Sequence, residues 1–261
     1  MKGVFLDSES MGSDLNQQAL KSSLTSLDIY PNTSRDKVID RLQGADIAIV
    51  NKVILGEREL SACQHLKLIA VTATGTNNID LIAAKTASIK VCNVIQYGRA
   101  TIIQHTFSLI LALANQLMNY THDVKMGKRH NSTVFCLMDH PIIELEGKKI
   151  GIIGYGDLGA GVAKMAEAFG MSVLLGARPG EATNQVDGYP KLPLTELLPQ
   201  VDILSLHCLL SADTLNMIDH TELALMKPSA FVINVARGGL INEQALAQAL
   251  RSGQLAGAAT D

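Results

Sequence analysis

Apolar residues come along this chain in blocks of three to six, separated by stretches in which they recur every three or four positions. The first pattern suits buried strands and the second suits amphipathic helices. In the first hundred residues the blocks are Val4–Leu6, Ile47–Val50, Leu66–Val71 and Val91–Val94, and helical spacing is read over Leu15–Leu24, Arg35–Leu42 and Leu81–Ala87. Thr101–Tyr120 is expected to form one long helix. Residues 121–147 lose periodicity, keep apolar islands at Cys136-Leu137-Met138 and Ile142-Ile143, and are expected to form a long loop with a role in oligomer contact. The alternation resumes with blocks at Ile150–Ile153, Ser172–Leu175, Ile203–Leu206, Phe231–Val235 and Ala256–Ala259. Short apolar strands alternating with helices predict parallel sheets covered on both faces. The expectation is therefore an α/β protein with two doubly wound parallel-sheet domains, 1–99 and 100–261, the first flavodoxin-like and the second a Rossmann dinucleotide-binding domain.

A chain of 261 residues, 47% hydrophobic and 18% charged, can bury two cores. Its net charge of −3 gives no basic excess for nucleic acid or an anionic membrane surface. The acidic Asp7 follows too soon for a signal peptide, and the apolar run Leu109–Ala114 is too short and too flanked by polar residues to span a bilayer. Cys63, Cys92, Cys136 and Cys208 form no Cys-x-x-Cys pair, so buried free thiols in a reducing, cytoplasmic compartment are expected, with no zinc site.

Chemistry is concentrated after the strands of the second half. Gly154-Tyr155-Gly156-Asp157-Leu158-Gly159 follows an apolar strand and opens a helical stretch, which is the context that gives a Gly-x-Gly-x-x-Gly signal its meaning. Gly154 permits the turn, Gly156 lets a pyrophosphate approach the backbone, and Gly159 lets helix and strand pack closely. The helix N-terminus then faces the phosphates. About twenty residues on, where an acidic residue usually grips the ribose 2′-hydroxyl of NAD, the chain has Ala177-Arg178. An arginine there suits the 2′-phosphate of NADP(H); the alternative is a solvated Arg178 with NAD bound without the acidic contact. His207, at a strand end, faces the cofactor in one reading and is a satisfied structural group in the other. Thr214 is either a phosphate donor or a helix cap. Val235-Ala236-Arg237-Gly238-Gly239 ends a buried strand in an arginine, held at the carboxyl edge of the sheet, where a guanidinium can bind a carboxylate through two N–H donors and polarise a carbonyl. In the first half, Thr74-Gly75 offers backbone amides to an anion, or forms an ordinary strand-to-helix loop.

These segments resemble the D-isomer-specific 2-hydroxyacid dehydrogenases, nearest the bacterial glycerate dehydrogenase/hydroxypyruvate reductase branch. The resemblance is carried by Val71 to Asp80, Gln104-His105-Thr106, Gly151 to Gly159, Val201 to His207, Met226-Lys227-Pro228, Asn234 to Leu240 and Ala256 to Asp261. It implies that the amides of Asp157 and Leu158 hold the pyrophosphate, and that His207, Leu209 and Thr214 line the cofactor path. Val235 and Ala236 would lie against the nicotinamide, Asp261 would touch the carboxamide, Thr74 and Gly75 would supply amides to the substrate carboxylate, and Arg237 would be catalytic. It further implies a homodimer acting on a small 2-oxo acid, with D-glycerate/hydroxypyruvate ahead of other small anions such as formate or phosphite. The family's usual proline after the His-Cys pair is Leu209 here. The family's general-acid histidine and its glutamate lie beyond the position of Asp261, so the resemblance implies a C-terminally truncated form, and the 261-residue piece alone is expected to reduce hydroxypyruvate poorly. A non-catalytic dinucleotide sensor, similar to the corepressors built on this scaffold, is the competing reading.

Overall fold

A computed structural model describes residues 1–12 and 14–261. They divide into two units, Met1–Tyr97 and Gly98–Asp261.

The first unit runs β1 (Lys2–Phe5), α1 (Gln18–Ser23), β2 (Ser26–Ile29), α2 (Val38–Leu42), β3 (Ile47–Val50), α3 (Glu57–Ala62), β4 (Leu68–Val71), α4 (Leu81–Thr86) and β5 (Lys90–Cys92). Every pairing is parallel and the strand order is β2-β1-β3-β4-β5. That is the 2-1-3-4-5 order of flavodoxin-like folds. Val4, Ala48, Val50 and Ile69 build the core with Val38, Leu42, Leu60 and Ala84 from the helices. Each fully buried aliphatic side chain contributes about 1.5–3 kcal/mol. Asp7 has a structural duty just past β1. It is buried, and its carboxylate accepts the backbone amides of Asn51, Lys52 and Val53, which ties down the turn after β3. Removing that acceptor would leave three amides to find new partners, at about 1–3 kcal/mol for each one left unpaired.

The second unit opens with α5 (Arg99–Ala114), α6 (Leu117–Lys125) and α7 (Lys128–Asn131). It continues through β6 (Lys149–Ile153), α8 (Asp157–Ala168), β7 (Ser172–Gly176), β8 (Lys191–Leu192), α9 (Leu194–Leu197) and β9 (Ile203–Leu206), and ends with α10 (His220–Leu225), β10 (Phe231–Asn234), α11 (Glu243–Ser252) and β11 (Gly257–Thr260). The parallel sheet has the order β11-β10-β9-β6-β7-β8. Counted from its first strand this is 3-2-1-4-5-6, the Rossmann order, with the topological switch between β6 and β9. Both faces are covered. Ile152 points into one core with Phe107, Val162 and Ala166, while its neighbour Ile153 points into the other with Leu197, Leu223 and Leu246. Period-two alternation cannot be polar on either side in such a strand, which is why β6 reads as a continuous apolar run.

Four local expectations need correction. The helix expected over 101–120 is two helices, because Gln116 adopts a left-handed backbone (φ 51°) and Asn115 caps the first. The stretch after Tyr120 is helical to Lys125 and again at Lys128–Asn131 before it becomes irregular. The helix expected over 15–24 shrinks to α1, losing its first turn, and the edge strand β2 follows it unannounced, because its Ser-Leu-Asp-Ile pattern carries too little apolar signal. Of the four cysteines, all free, Cys63 and Cys208 are buried, but Cys92 at the end of β5 is exposed.

Candidate dinucleotide and anion site

The glycine loop between β6 and α8 assigns each glycine a separate task. Gly154 has φ 97°, and a Cβ there would lie 2.5 Å from the amide nitrogen of Cys208, so the loop presses directly on the chain leaving β9. A Cβ at Gly159 would collide with the carbonyl oxygen of Gly154. One at Gly161 would collide with Ile103 of α5. At Gly156, by contrast, a Cβ would meet no protein atom within 4 Å. Two glycines thus close the loop on itself, and the middle one faces open space in front of a helix end. Asp157 and Leu158 form the first turn of α8, where N–H groups lack intrahelical acceptors and attract anions. The carboxylate of Asp157, which would compete with a phosphate there, is drawn to Arg99 Nε at 3.2 Å. This cradle fits a pyrophosphate.

A cleft of about 450 Å3 extends from the loop. Gly154, Tyr155, Gly156, Arg178, His207 and Leu209 line it, together with Glu181, Lys191 and Cys208, three residues not singled out from the sequence. Arg178 and Thr214 also line a second depression, of about 290 Å3, with Glu181 and Asp213. The Arg178 guanidinium is bound by Glu181, Nε to Oε2 at 3.2 Å, and the same carboxylate takes Lys191 Nζ at 2.6 Å. Burial alone would raise the Glu181 pKa, but hydrogen bonds from Arg178 and Lys191 outweigh it and bring the carboxyl to about 2.

His207 Nε2 shares a hydrogen bond with Ser205 Oγ at 2.8 Å, while its Nδ1 is shut off from water without a partner among the described residues. Burial lowers its pKa to about 4, so the ring is neutral at physiological pH and is no proton donor there. Thr214 is buried. Its hydroxyl donates to the Leu209 carbonyl at 2.8 Å and accepts the Ser211 amide at 2.7 Å. No helix begins there, so the cap reading is set aside; the hydroxyl proton lies inside the turn that shapes the wall of the second depression. Leu209, where the family usually has proline, is largely exposed.

The end of β10 is governed by a residue the sequence reading passed over. Asn234 is 3% exposed; its Nδ2 donates to the Arg237 carbonyl at 2.8 Å and its Oδ1 accepts the Ala236 amide at 3.0 Å. The half-buried Val235 and Ala236 are thereby looped around one side chain, and Arg237 is presented outward. Its Nη1 donates to the Ala236 carbonyl at 2.7 Å, and among the described residues no carboxylate pairs with it. A lone polar residue ending an otherwise apolar strand was the available signal. Asp261 is hydrogen-bonded through its amide to the Asn234 carbonyl, with its carboxylate 3.9 Å from His105 Nε2.

In the first unit, Thr74 and Gly75 follow β4. The Thr74 hydroxyl donates to the Val94 carbonyl and its own carbonyl accepts Asn93 Nδ2, so the turn is braced from behind. Neither amide, of Thr74 or Gly75, donates to another group among the described residues. A braced turn with free amides can receive a carboxylate.

A Rossmann sheet with this cradle at its switch point, and an arginine without an acidic partner among the described residues at a nearby strand end, is the framework of a dinucleotide-binding protein with a free cation for an anion. The comparisons narrow the class. The family described as D-isomer specific 2-hydroxyacid dehydrogenase, NAD binding domain, matches residues 107–261. A glycerate dehydrogenase of Methylorubrum extorquens is 40% identical over all of this chain and 80% of its own length. An acyclic imino acid reductase solved with NADPH and D-Arg superposes with a TM-score of 0.88 at 29% identity, over all of this chain and 82% of its own. A D-lactate dehydrogenase of Aquifex aeolicus solved with NAD and lactic acid gives 0.85 at 31% identity, over 99% and 76%. The chain belongs to the D-isomer specific 2-hydroxyacid dehydrogenase family. It is an NAD(P)-dependent enzyme that moves hydride between a nicotinamide cofactor and a 2-hydroxy acid, and the sensor reading is not favoured.

Proposed function

We propose that the enzyme interconverts hydroxypyruvate and D-glycerate and prefers NADPH to NADH. The observation that carries the anion chemistry is Arg237, presented by the Asn234 clamp with a guanidinium that has no acidic partner among the described residues. The substrate assignment is supported by the 40% identity to a glycerate dehydrogenase. The cofactor preference is supported by Arg178, and by the absence of an acidic residue at Ala177.

When bound, the nicotinamide supplies the hydride. The amides of Asp157 and Leu158 would hold its pyrophosphate, Val235 and Ala236 would give the nicotinamide an apolar wall, and Asp261 would receive the carboxamide. Thr74 and Gly75 donate amides to the substrate carboxylate. Arg237 binds the 2-oxo acid and stabilises the charge that grows on the carbonyl oxygen as hydride arrives, an interaction that strengthens toward the transition state, and one proton, from a general acid other than His207 or from water, completes the alcohol. The test is steady-state reduction of hydroxypyruvate, glyoxylate and pyruvate by the natural full-length protein, with each cofactor in turn. The highest kcat/KM is expected for hydroxypyruvate with NADPH. A higher value with NADH would defeat the cofactor assignment, and a higher value with glyoxylate or pyruvate would defeat the substrate.

We further propose the division of labour read from the sequence: a substrate-binding first domain, 1–99, and a dinucleotide-binding second domain, 100–261. The active form is a homodimer in the cytoplasm. Exposed apolar side chains support the dimer: Met118, Met126, Val134, Phe135 and Met138 all lie on the arm after α5, Phe135 at 86% exposure. Such a run of apolar surface is costly in water unless another surface covers it. Light scattering should give twice the chain mass, and a Phe135→Asp/Met138→Asp double variant should run as a monomer; a monomeric wild-type protein would exclude this state. No helix among the described residues is long and apolar enough to cross a membrane.

A further inference from the structure

The turn after β7 holds a charge arrangement that the cofactor preference alone does not explain. Glu181 Oε2 accepts both the backbone amide of Arg178 at 3.0 Å and its Nε at 3.2 Å. Oε1 accepts Lys191 Nζ at 2.6 Å. Lys191 lies on the edge strand β8, in register with Leu175 of β7, and its side chain is only 11% exposed. A nearly buried ammonium must be paired, and Glu181 is its one carboxylate among the described residues. All three side chains line the same cleft as Gly154 and Gly156. Two cations therefore converge on a single carboxylate, beside the cradle, on the strand end where the adenosine ribose of a dinucleotide docks.

We propose that Glu181 is an internal stand-in for the 2′-phosphate of NADP(H), and that Lys191 is a second phosphate-binding cation beside Arg178. The inference rests on the NADP(H) reading of this site. A phosphomonoester carries close to two negative charges and three acceptor oxygens, so it satisfies both cations better than a carboxylate with one charge. Glu181 can yield. Its side chain is 30% exposed, and the residues that follow it, 182–185, are exposed and free of regular structure. With a cofactor that has only a 2′-hydroxyl, nothing displaces the carboxylate and the ion cluster stays closed. Glu181 is thus a specificity-determining residue: it keeps two cations assembled, and it sets the competition that a 2′-phosphate must win.

The proposal is tested by binding, without turnover. Calorimetry with 2′,5′-ADP and with 5′-AMP, which differ only in the 2′-phosphate, on the full chain gives a ratio of dissociation constants that isolates that group. Glu181→Gln keeps the shape and removes the competing charge, and should raise the preference for 2′,5′-ADP about tenfold; Lys191→Met should lower it about tenfold, as for loss of one charge-assisted contact. The 5′-AMP affinity should move less than twofold in both. Lys191→Arg keeps the cation and should hold the preference within about threefold, which separates a lost contact from a damaged fold; thermal melts of each variant confirm folding. An unchanged or lowered ratio in Glu181→Gln overturns the role of Glu181, and an unchanged ratio in Lys191→Met overturns that of Lys191. A wild-type protein that binds 5′-AMP more tightly than 2′,5′-ADP would defeat the NADP(H) reading itself. That outcome is distinct, because the shift caused by Glu181→Gln is measured whatever the starting preference.

Discussion

Two arginines sit just past strand ends of the same sheet, Arg178 after β7 and Arg237 after β10, and the protein treats them oppositely. Arg178 is fastened by a carboxylate three residues on, and that carboxylate is shared with Lys191. Among the described residues Arg237 has only a backbone carbonyl for its guanidinium, while a buried asparagine holds its main chain. In the first case the side chain is ordered and its charge already answered. In the second the backbone is ordered and the charge is left for an outside anion. A binding cation that discriminates between two cofactors gains from an internal competitor. One that must stabilise charge developing in a transition state does not, because a resident carboxylate would have to be removed in every cycle.

The comparison breaks most readily at its two arginines. Arg237→Ala should lower kcat/KM for the 2-oxo acid by about 1,000-fold, the range seen when one donor to a developing oxyanion is removed. Dissociation constants for the cofactor should be unchanged, as measured by quenching of protein or nicotinamide fluorescence. Arg178→Ala should do the reverse on a smaller scale. It should raise KM for NADPH about tenfold, leave NADH within twofold and leave kcat intact, since one charged hydrogen-bonding partner is lost from binding alone. If both variants affected cofactor and substrate alike, the distinction between a discriminating and a reacting arginine would be lost.

How far the sequence revealed this depended on where each partner lies. The buried strands were legible because both their faces are apolar: Ile47–Val50 and Ile203–Leu206 were read with the observed bounds. The edge strands β2 and β8 were not, since one is half polar and the other is two residues long. The glycines carried their signal in their own spacing, and the structure adds which neighbours make each one necessary. Arg178 and Arg237 stood out by position alone. Their supporting residues did not: Lys191 reaches Glu181 from the next strand, and Asn234 matters only because the chain bends back over it. The Arg178–Glu181 pair was the near miss, because three residues spanning Pro179-Gly180 form a turn short enough to bring the two charges together.

The least of the expected effects follows from acid. The Glu181 carboxyl falls from an ordinary 4.5 to about 2 in the folded protein. A depressed folded pKa means that the fold prefers the ionised form. The stabilisation is full above about 4.5, where the unfolded chain is ionised too, and it fades as pH drops from there toward about 2. Arg178 is 41% exposed, so solvent screens much of its share of the pairing, whereas Lys191 is only 11% exposed and loses its carboxylate in Glu181→Gln, so the contribution is about 1 kcal/mol. For a chain of this size that is about 2–4 °C in melting temperature. Glu181→Gln should therefore melt about 2–4 °C below wild type at pH 7, and the two curves should converge as pH falls below about 4.5. Arg237→Ala should track wild type across the same range, because no acidic group among the described residues answers its charge. A gap for Arg237→Ala that closes with acid would mean that Arg237 also has a resident carboxylate, and the contrast between the two arginines would fall.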